Sequence, residues 1–343
     1  MFTLRATAAN ALKFSTLINP FKPLSSLHRH NSGNGVDQEE TKEMREAKKF
    51  FEEFKLEHAA RYPTDKNPLY DYLRQRSEIG FTPAQMDLFR KEFFFRTKGT
   101  AISVALAIAS SLKAHDWISA AKISQNMFEE AGNGDPKNLH LVLLEKCFND
   151  HLKHVFGLYP LKMRDVTEDA VLGVTKEFRD LQSSVMAVAP YPKVAGRLWA
   201  HEREADDMLC TFRSAFFEPY KDLYEQEDYV KMVEYFAAHI ESGVEARHEE
   251  DAAIAAVRAI AAFDLKKGSK QFAKGAEEFS ASQAGMWAEW LVQMKEREFV
   301  GKAVSPTKIV EVSSNKPNGI LKVGPFDATH LDNNNNQQLV RRY

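Results

Sequence analysis

Cysteine is nearly missing from this chain: among 343 residues only Cys147 and Cys210 occur. That excludes a disulfide scaffold, a thiolate zinc site and a cysteine-held iron–sulfur cluster, and it fits a reducing compartment. Glycine and proline are scarce as well, at 16 and 13 residues, together about 8% where ~12% is usual. No charge sign dominates, with 46 Lys+Arg against 48 Asp+Glu, a net charge of −2 and a pI near 6.6. The basic excess that a nucleic-acid binder concentrates on one face is therefore lacking, and no nucleic-acid partner is expected. A long apolar run is absent too. The most apolar stretch, 101–112, is broken by Ser103, Ser110 and Ser111, whereas a bilayer span needs ~20 apolar residues. No membrane span is expected, and this stretch reads as a buried helix.

What remains is 44% apolar residues with few helix breakers, enough for one large core. Helical patterns run over 39–61, 83–93, 97–112, 116–130, 136–157, 167–188, 192–220, 227–263 and 269–299. Phe50, Phe51 and Phe54 fall on one side of the first, Thr82 with Pro83 makes a cap followed by proline at the first helical position, and Asp116 can cap its helix. Alternation of period 2 is nowhere convincing. The expected fold class is all-α.

The two ends differ from this body. Residues 1–36 carry Arg5, Lys13, Lys22 and Arg29 and no acid, which reads as a disordered basic tail or a targeting segment. From 304 the chain is polar, with Pro306, Pro317, Pro325 and the asparagine run 333–336, too poor in apolar surface to offset its ordering entropy. The expected organisation is a tail over 1–36, a helical extension over 37–80, a helical domain over 81–303 and a disordered tail over 304–343. The expected compartment is the cytoplasm, with an organelle as the alternative through the acid-free N-terminus.

An all-α domain poor in cysteine binds metal through histidines and carboxylates projected inward from facing helices. Three segments offer them. Glu129 and Glu130 end one helix, a glycine-bearing turn follows, and His140 stands early in the next. Glu202 lies four residues after Leu198, on the same helical face and beside Trp199. Glu241, Glu245 and His248 fall at 0°, 40° and 340° around a helix at ~100° per residue, one narrow stripe, whereas His239 falls on the other side at ~160°. Each segment alone also fits a solvated charged face. Three in this order make a usable nitrogen and oxygen donor set.

With these residues in view, the chain resembles the haem-oxygenase-like non-haem di-iron oxygenases and oxidases, also called iron-containing redox enzymes. Their pattern is a helix ending E-E-x-G followed by a histidine, a G-x-L-[YW]-x-x-E helix, and a helix of the form H-x-x-x-D-x-x-H. Here the matches are Glu129-Glu130-Ala131-Gly132 with His140, Gly196-Arg197-Leu198-Trp199-Ala200-His201-Glu202, and Glu245 with His248, and the resemblance spans about 81–290. Where the family has its first histidine of the last element this chain has Glu241, and His239 stands two residues earlier. Either Glu241 replaces the histidine, or local unwinding near Gly243 brings His239 round.

The resemblance implies a haem-oxygenase-like helical bundle. It also implies a metal site of Glu130, His140, Glu202, Glu245, His248 and one of Glu241 or His239, holding two Fe(II) ions per chain, with Mn as an alternative. The activity implied is O2-dependent oxidation of a small amine-, acid- or lipid-like substrate, with an electron donor as partner and homodimerisation left open. Asp251 and Glu249 are candidates for orienting the histidines, and Phe93, Phe94, Phe95 and Tyr235 for lining a cavity. Two readings compete with this: a metal-free binding protein of the same fold, and a helical interaction protein. A haem protein would need a proximal histidine, for which His58 is the early candidate.

Overall fold

The computed structural model describes residues 41–241 and 243–306. The tails expected over 1–36 and 304–343 fall outside these residues, apart from 304–306. Helices carry the described chain, and the sole β-type pairing among the described residues is an isolated bridge between Phe81 and Val304. The order is α1 Lys42–Arg61, α2 Pro68–Ile79, α3 Pro83–Thr97, α4 Thr100–Lys113, α5 Trp117–Glu130, α6 His140–Phe156, α7 Gly173–Val188, α8 Tyr191–Phe216, α9 Gln226–Met232, a single turn α10 Glu234–Phe236, α11 Val244–Ala261 and α12 Leu265–Glu296. No helix among the described residues is long and apolar enough to cross a membrane.

The caps explain several boundaries. Thr82 accepts from the Gln85 N–H while the Gln85 side chain accepts from the Thr82 N–H, a reciprocal box with Pro83 at the first helical position. Asp116 caps α5, accepting from both the N–H and the hydroxyl of Ser119. It also accepts from Tyr191 Oη at 3.0 Å and Arg258 Nε at 2.7 Å, so one buried carboxylate ties α5 to α8 and α11. Asn67 with Pro68 starts α2 in the same way, a helix the periodicity reading did not resolve.

Two differences from the sequence expectation matter. The stretch 167–188 begins with a 3₁₀ turn, and its α-helix starts only at Gly173. The stretch 227–263, expected as one helix, is broken into α9, α10, a π-helical turn Ala237–Glu241 and α11. Gly243, at φ 67°, has the left-handed conformation that restarts the chain as α11.

The axis of the bundle is α8, packed against α12 on one side and α11 on the other. Its contact with α12 is close because both helices present glycine: a Cβ on Gly196 would lie 2.1 Å from the Phe272 carbonyl oxygen, and one on Gly275 2.1 Å from that of Lys193. α1 closes the same core, its Phe51 and Phe54 edge-on to Trp199 and Phe272. His58 belongs to this aromatic cluster, and both its ring nitrogens are engaged: Nδ1 accepts from Arg203 Nη1 at 2.9 Å and Nε2 lies 3.3 Å from Ser280 Oγ. It has no nitrogen to offer a haem iron. Phe93, Phe94 and Phe95 are ordinary core, packed tilted or edge-on against Phe148 and Phe212 and beneath Arg179.

Two predictions come from this packing. Gly196→Ala should cost about 1–3 kcal/mol through overpacking, read as a fall of several degrees in melting temperature. His58 and His151 are held neutral mainly by burial, at about 4 and about 3 against an ordinary 6.5. The unfolded chain therefore takes up these protons first, so stability is intact above pH 6.5 and declines as pH falls from there toward 3. Guanidinium midpoints at pH 7 and pH 5 should show that decline, and His151→Gln should lessen it.

Candidate metal centre

Two triads of potential ligands meet between α5, α6, α8 and α11. In the first are Glu130, His140 and His239; in the second Glu202, Glu245 and His248. Within each, one donor atom per residue lies within 4.8 Å of the others. Metal–oxygen and metal–nitrogen bonds of about 2.0–2.2 Å put ligands of one ion at such mutual distances.

The first triad depends on a turn. Glu130 is the last residue of α5, and Gly132, Asn133 and Gly134 follow at φ 69°, 55° and 87°. A Cβ on Gly132 would lie 2.4 Å from the Asn138 carbonyl carbon and 2.6 Å from the Leu139 nitrogen, so only glycine lets the chain return this tightly. Asp135 then caps the 3₁₀ turn Pro136–Asn138, and α6 opens on His140. His140 Nδ1 stands 3.3 Å from Glu130 Oε2. His239 joins them edge-on, its ring 4.2 Å from that of His140, and Tyr235 packs edge-on against His239 at 4.7 Å.

His239 reaches this place through the break before α11. Six residues separate it from Glu245, which on a continuous helix sets them about 240° apart. The π turn and Gly243 change that phase, and His239 Nδ1 donates to Glu245 Oε1 in a short hydrogen bond. The two triads thus share a wall. Glu241 is placed elsewhere: it is exposed and accepts from Arg213 Nη1 at 2.7 Å, outside both triads.

In the second triad, His248 Nδ1 is 3.9 Å from both Glu202 Oε2 and Glu245 Oε2. Its other nitrogen donates to Glu129 Oε2 at 2.9 Å, and Glu129 is held by Arg247 at 3.0 Å and by Gln125 at 3.0 Å. A carboxylate on the far nitrogen is the usual way a metal-binding imidazole is oriented. Asn126 Nδ2 likewise donates to Glu202 Oε1 at 3.1 Å. The adjacent Glu129 and Glu130 therefore do different things, one orienting a histidine and the other facing the first triad. The sequence reading passed over Glu129 and Asn126 in these roles, although their i,i+3 spacing sets them on one face of α5. Asp251 and Glu249 do not orient either histidine; they pair with Lys122 at 2.9 Å and Lys55 at 4.0 Å.

The donor set fits a cation. His239 Nε2 is buried with no hydrogen-bond partner and His140 Nδ1 meets only the Glu130 carboxylate, at 3.3 Å; an unsatisfied buried nitrogen is costly unless something else meets it. Glu130, Glu202 and Glu245 crowd together, and Glu202 is pushed well above the usual carboxylate range by burial and then by the charges of Glu245 and Glu130. Glu130 goes the other way in spite of its burial, down to about 2, through His140 and the positive charge of His239. Burial likewise opposes a charge on His239, yet Glu245 and Glu130 hold its pKa up. The pocket calls for positive charge, which protons or metal ions can supply.

Solved structures are similar to this arrangement of helices. A CADD-like protein of unknown function from Nostoc punctiforme aligns at TM-score 0.52 with 16% identity, over 74% of this chain and 99% of that one. A TenA homologue from Pseudomonas syringae aligns at 0.53 with 10% identity, over 76% and 98%. A domain of unknown function with a heme oxygenase-like fold, from Shewanella denitrificans, aligns at 0.46 with 14% identity, over 76% and 95%. The fold is haem-oxygenase-like. No family model matches the chain, and no curated protein matches it.

Glu129→Ala tests the orientation of His248. It should weaken divalent-metal affinity about 10–100-fold, as loss of such an orienting group does, with the far-UV circular dichroism unchanged.

Proposed function

We propose that this protein is a non-haem, O2-activating oxidoreductase whose two triads hold a pair of iron ions, with manganese the alternative. The observation that carries this is the pairing of two wall-sharing histidine–carboxylate triads in which the buried His239 Nε2 has no hydrogen-bond partner. Glu130, His140 and His239 would hold one ion, and Glu202, Glu245 and His248 the other. The sequence resemblance to the di-iron oxygenases and oxidases of this fold points the same way, since its matched positions are the residues of the two triads apart from His239. The active unit expected over 81–303 would contain all six.

Two Fe(II) ions so held would supply electrons for reducing O2. The chain's own contributions are separate. Glu129 fixes the His248 ring so that Nδ1 faces Glu202 and Glu245. Asn126 fixes one Glu202 oxygen and leaves the other free. Buried Tyr235 and the aromatic core around it keep bulk water from the His239 side. The substrate would be a small amine-, acid- or lipid-like molecule, and turnover would require an external electron donor.

Anaerobic Fe(II) titration followed by O2, with optical monitoring, tests this reading. About two irons per chain and a transient visible absorption are expected. His239→Ala should lose iron from the first triad while Glu241→Ala keeps full loading. A chain that binds no iron tightly would instead be a metal-free binding protein of this fold.

A further inference from the structure

A second cavity lies away from the triads, where the α1–α2 connection covers α8 and α12. Its volume is about 170 Å³; an engineered apolar cavity of about 150 Å³ accommodates benzene. Tyr62, Tyr70 and Trp287 line it, together with Glu204 and Ser280, and Lys66 stands among the lining residues of the connection. Glu204 and Glu202 are two residues apart on α8, so at ~100° per residue they leave the helix on nearly opposite sides. This cavity is therefore distinct from the metal centre.

Three features mark it as built for a ligand. Tyr70 and Trp287 are 3% and 1% exposed, and both line the cavity, so their rings give it an aromatic wall. The Glu204 carboxylate is fixed rather than loose: Ser280 Oγ donates to Oε1 at 2.5 Å and Gln283 Nε2 donates to Oε2. Among the described residues no lysine or arginine nitrogen is within ion-pair distance of it; Arg96 reaches it only through Gln283, donating to the Gln283 carbonyl at 2.5 Å. Finally, the cover is pinned in place. Arg61 pairs with Glu277 at 2.6 Å, and Thr64 donates to Asp207.

A fixed carboxylate beside aromatic rings selects an organic cation, which gains a charge-assisted hydrogen bond and the attraction of the ring faces. We propose that this cavity binds a small protonated amine of about six to ten non-hydrogen atoms, the size set by comparison with benzene in a similar volume. Its ammonium group pairs with Glu204, and its body lies against Tyr70 and Trp287.

Benzylammonium is a suitable probe of the full-length chain, followed by calorimetry and by the tryptophan emission to which Trp287 contributes. Saturable one-to-one binding is expected, with benzyl alcohol and benzoate each at least about tenfold weaker, a loss of the size one charged hydrogen bond carries. Glu204→Gln, nearly isosteric, should abolish the preference for benzylammonium over benzyl alcohol while the circular dichroism is unchanged. Tyr70→Phe should weaken binding less. If Glu204→Gln does not fold, the comparison of the three probes on the unaltered chain decides alone. Equal binding of benzylammonium and benzyl alcohol, or no saturable binding of benzylammonium, would overturn the proposal, and so would an unchanged preference in Glu204→Gln.

Discussion

Everything at the centre of this protein answers to one constraint: three carboxylates and three imidazoles share a buried space between helices. Charged groups so placed must be paired, protonated or bound to a cation. The surrounding structure reduces the cost with fixed partners rather than with water. Glu129, itself gripped by Arg247 and Gln125, holds His248; Asn126 holds Glu202; and His239 donates to Glu245. After these bonds are made, His239 Nε2 is still without a hydrogen-bond partner. The helices can be displaced little without separating these groups, so the close packing of α8 through Gly196 and Gly275 bears directly on the centre.

The all-α class and most helices were legible because they follow from local rules. Few breakers, 3.6-residue periodicity and the caps at Thr82 and Asp116 each act within a turn or two. The carboxylate–turn–histidine element was legible for a similar reason: Gly132 sits where the chain must reverse, and a Cβ there would strike the Asn138 backbone. Asn67 and Pro68 held the same kind of signal for α2, which shows that short helices with little periodicity are better found by their caps.

The break before α11 was less legible, and physics explains why. A wheel drawn at ~100° per residue assumes an unbroken α-helix, and it put Glu241 with Glu245 and His248 while setting His239 apart. One π turn changes the phase of all that precedes it. Gly243 was a visible hint of unwinding, but the stabilisation of the π turn lies in tertiary contacts: His239 against His140 and Tyr235, and Glu241 drawn outward by Arg213. These partners are between 4 and 99 residues away in sequence, so no local window contains them all. The part in orienting His248 played by Glu129 was hidden likewise, since its partner lies on α11.

The same reasoning relates the two polar regions of α8. A helix through the middle of a bundle presents most of its faces to protein, so Glu202 is buried and Glu204 half-buried although they point apart. Each needs compensation, and each receives it differently. Glu202 meets a histidine, an asparagine and two other carboxylates, a set that a metal cation satisfies. Glu204 meets a hydroxyl and an amide and faces aromatic rings across an open cavity, a set that an organic cation satisfies. Two acids two residues apart thus acquire different chemistry from their surroundings alone, which is why neither role could be assigned from the sequence Glu202-Arg203-Glu204 itself.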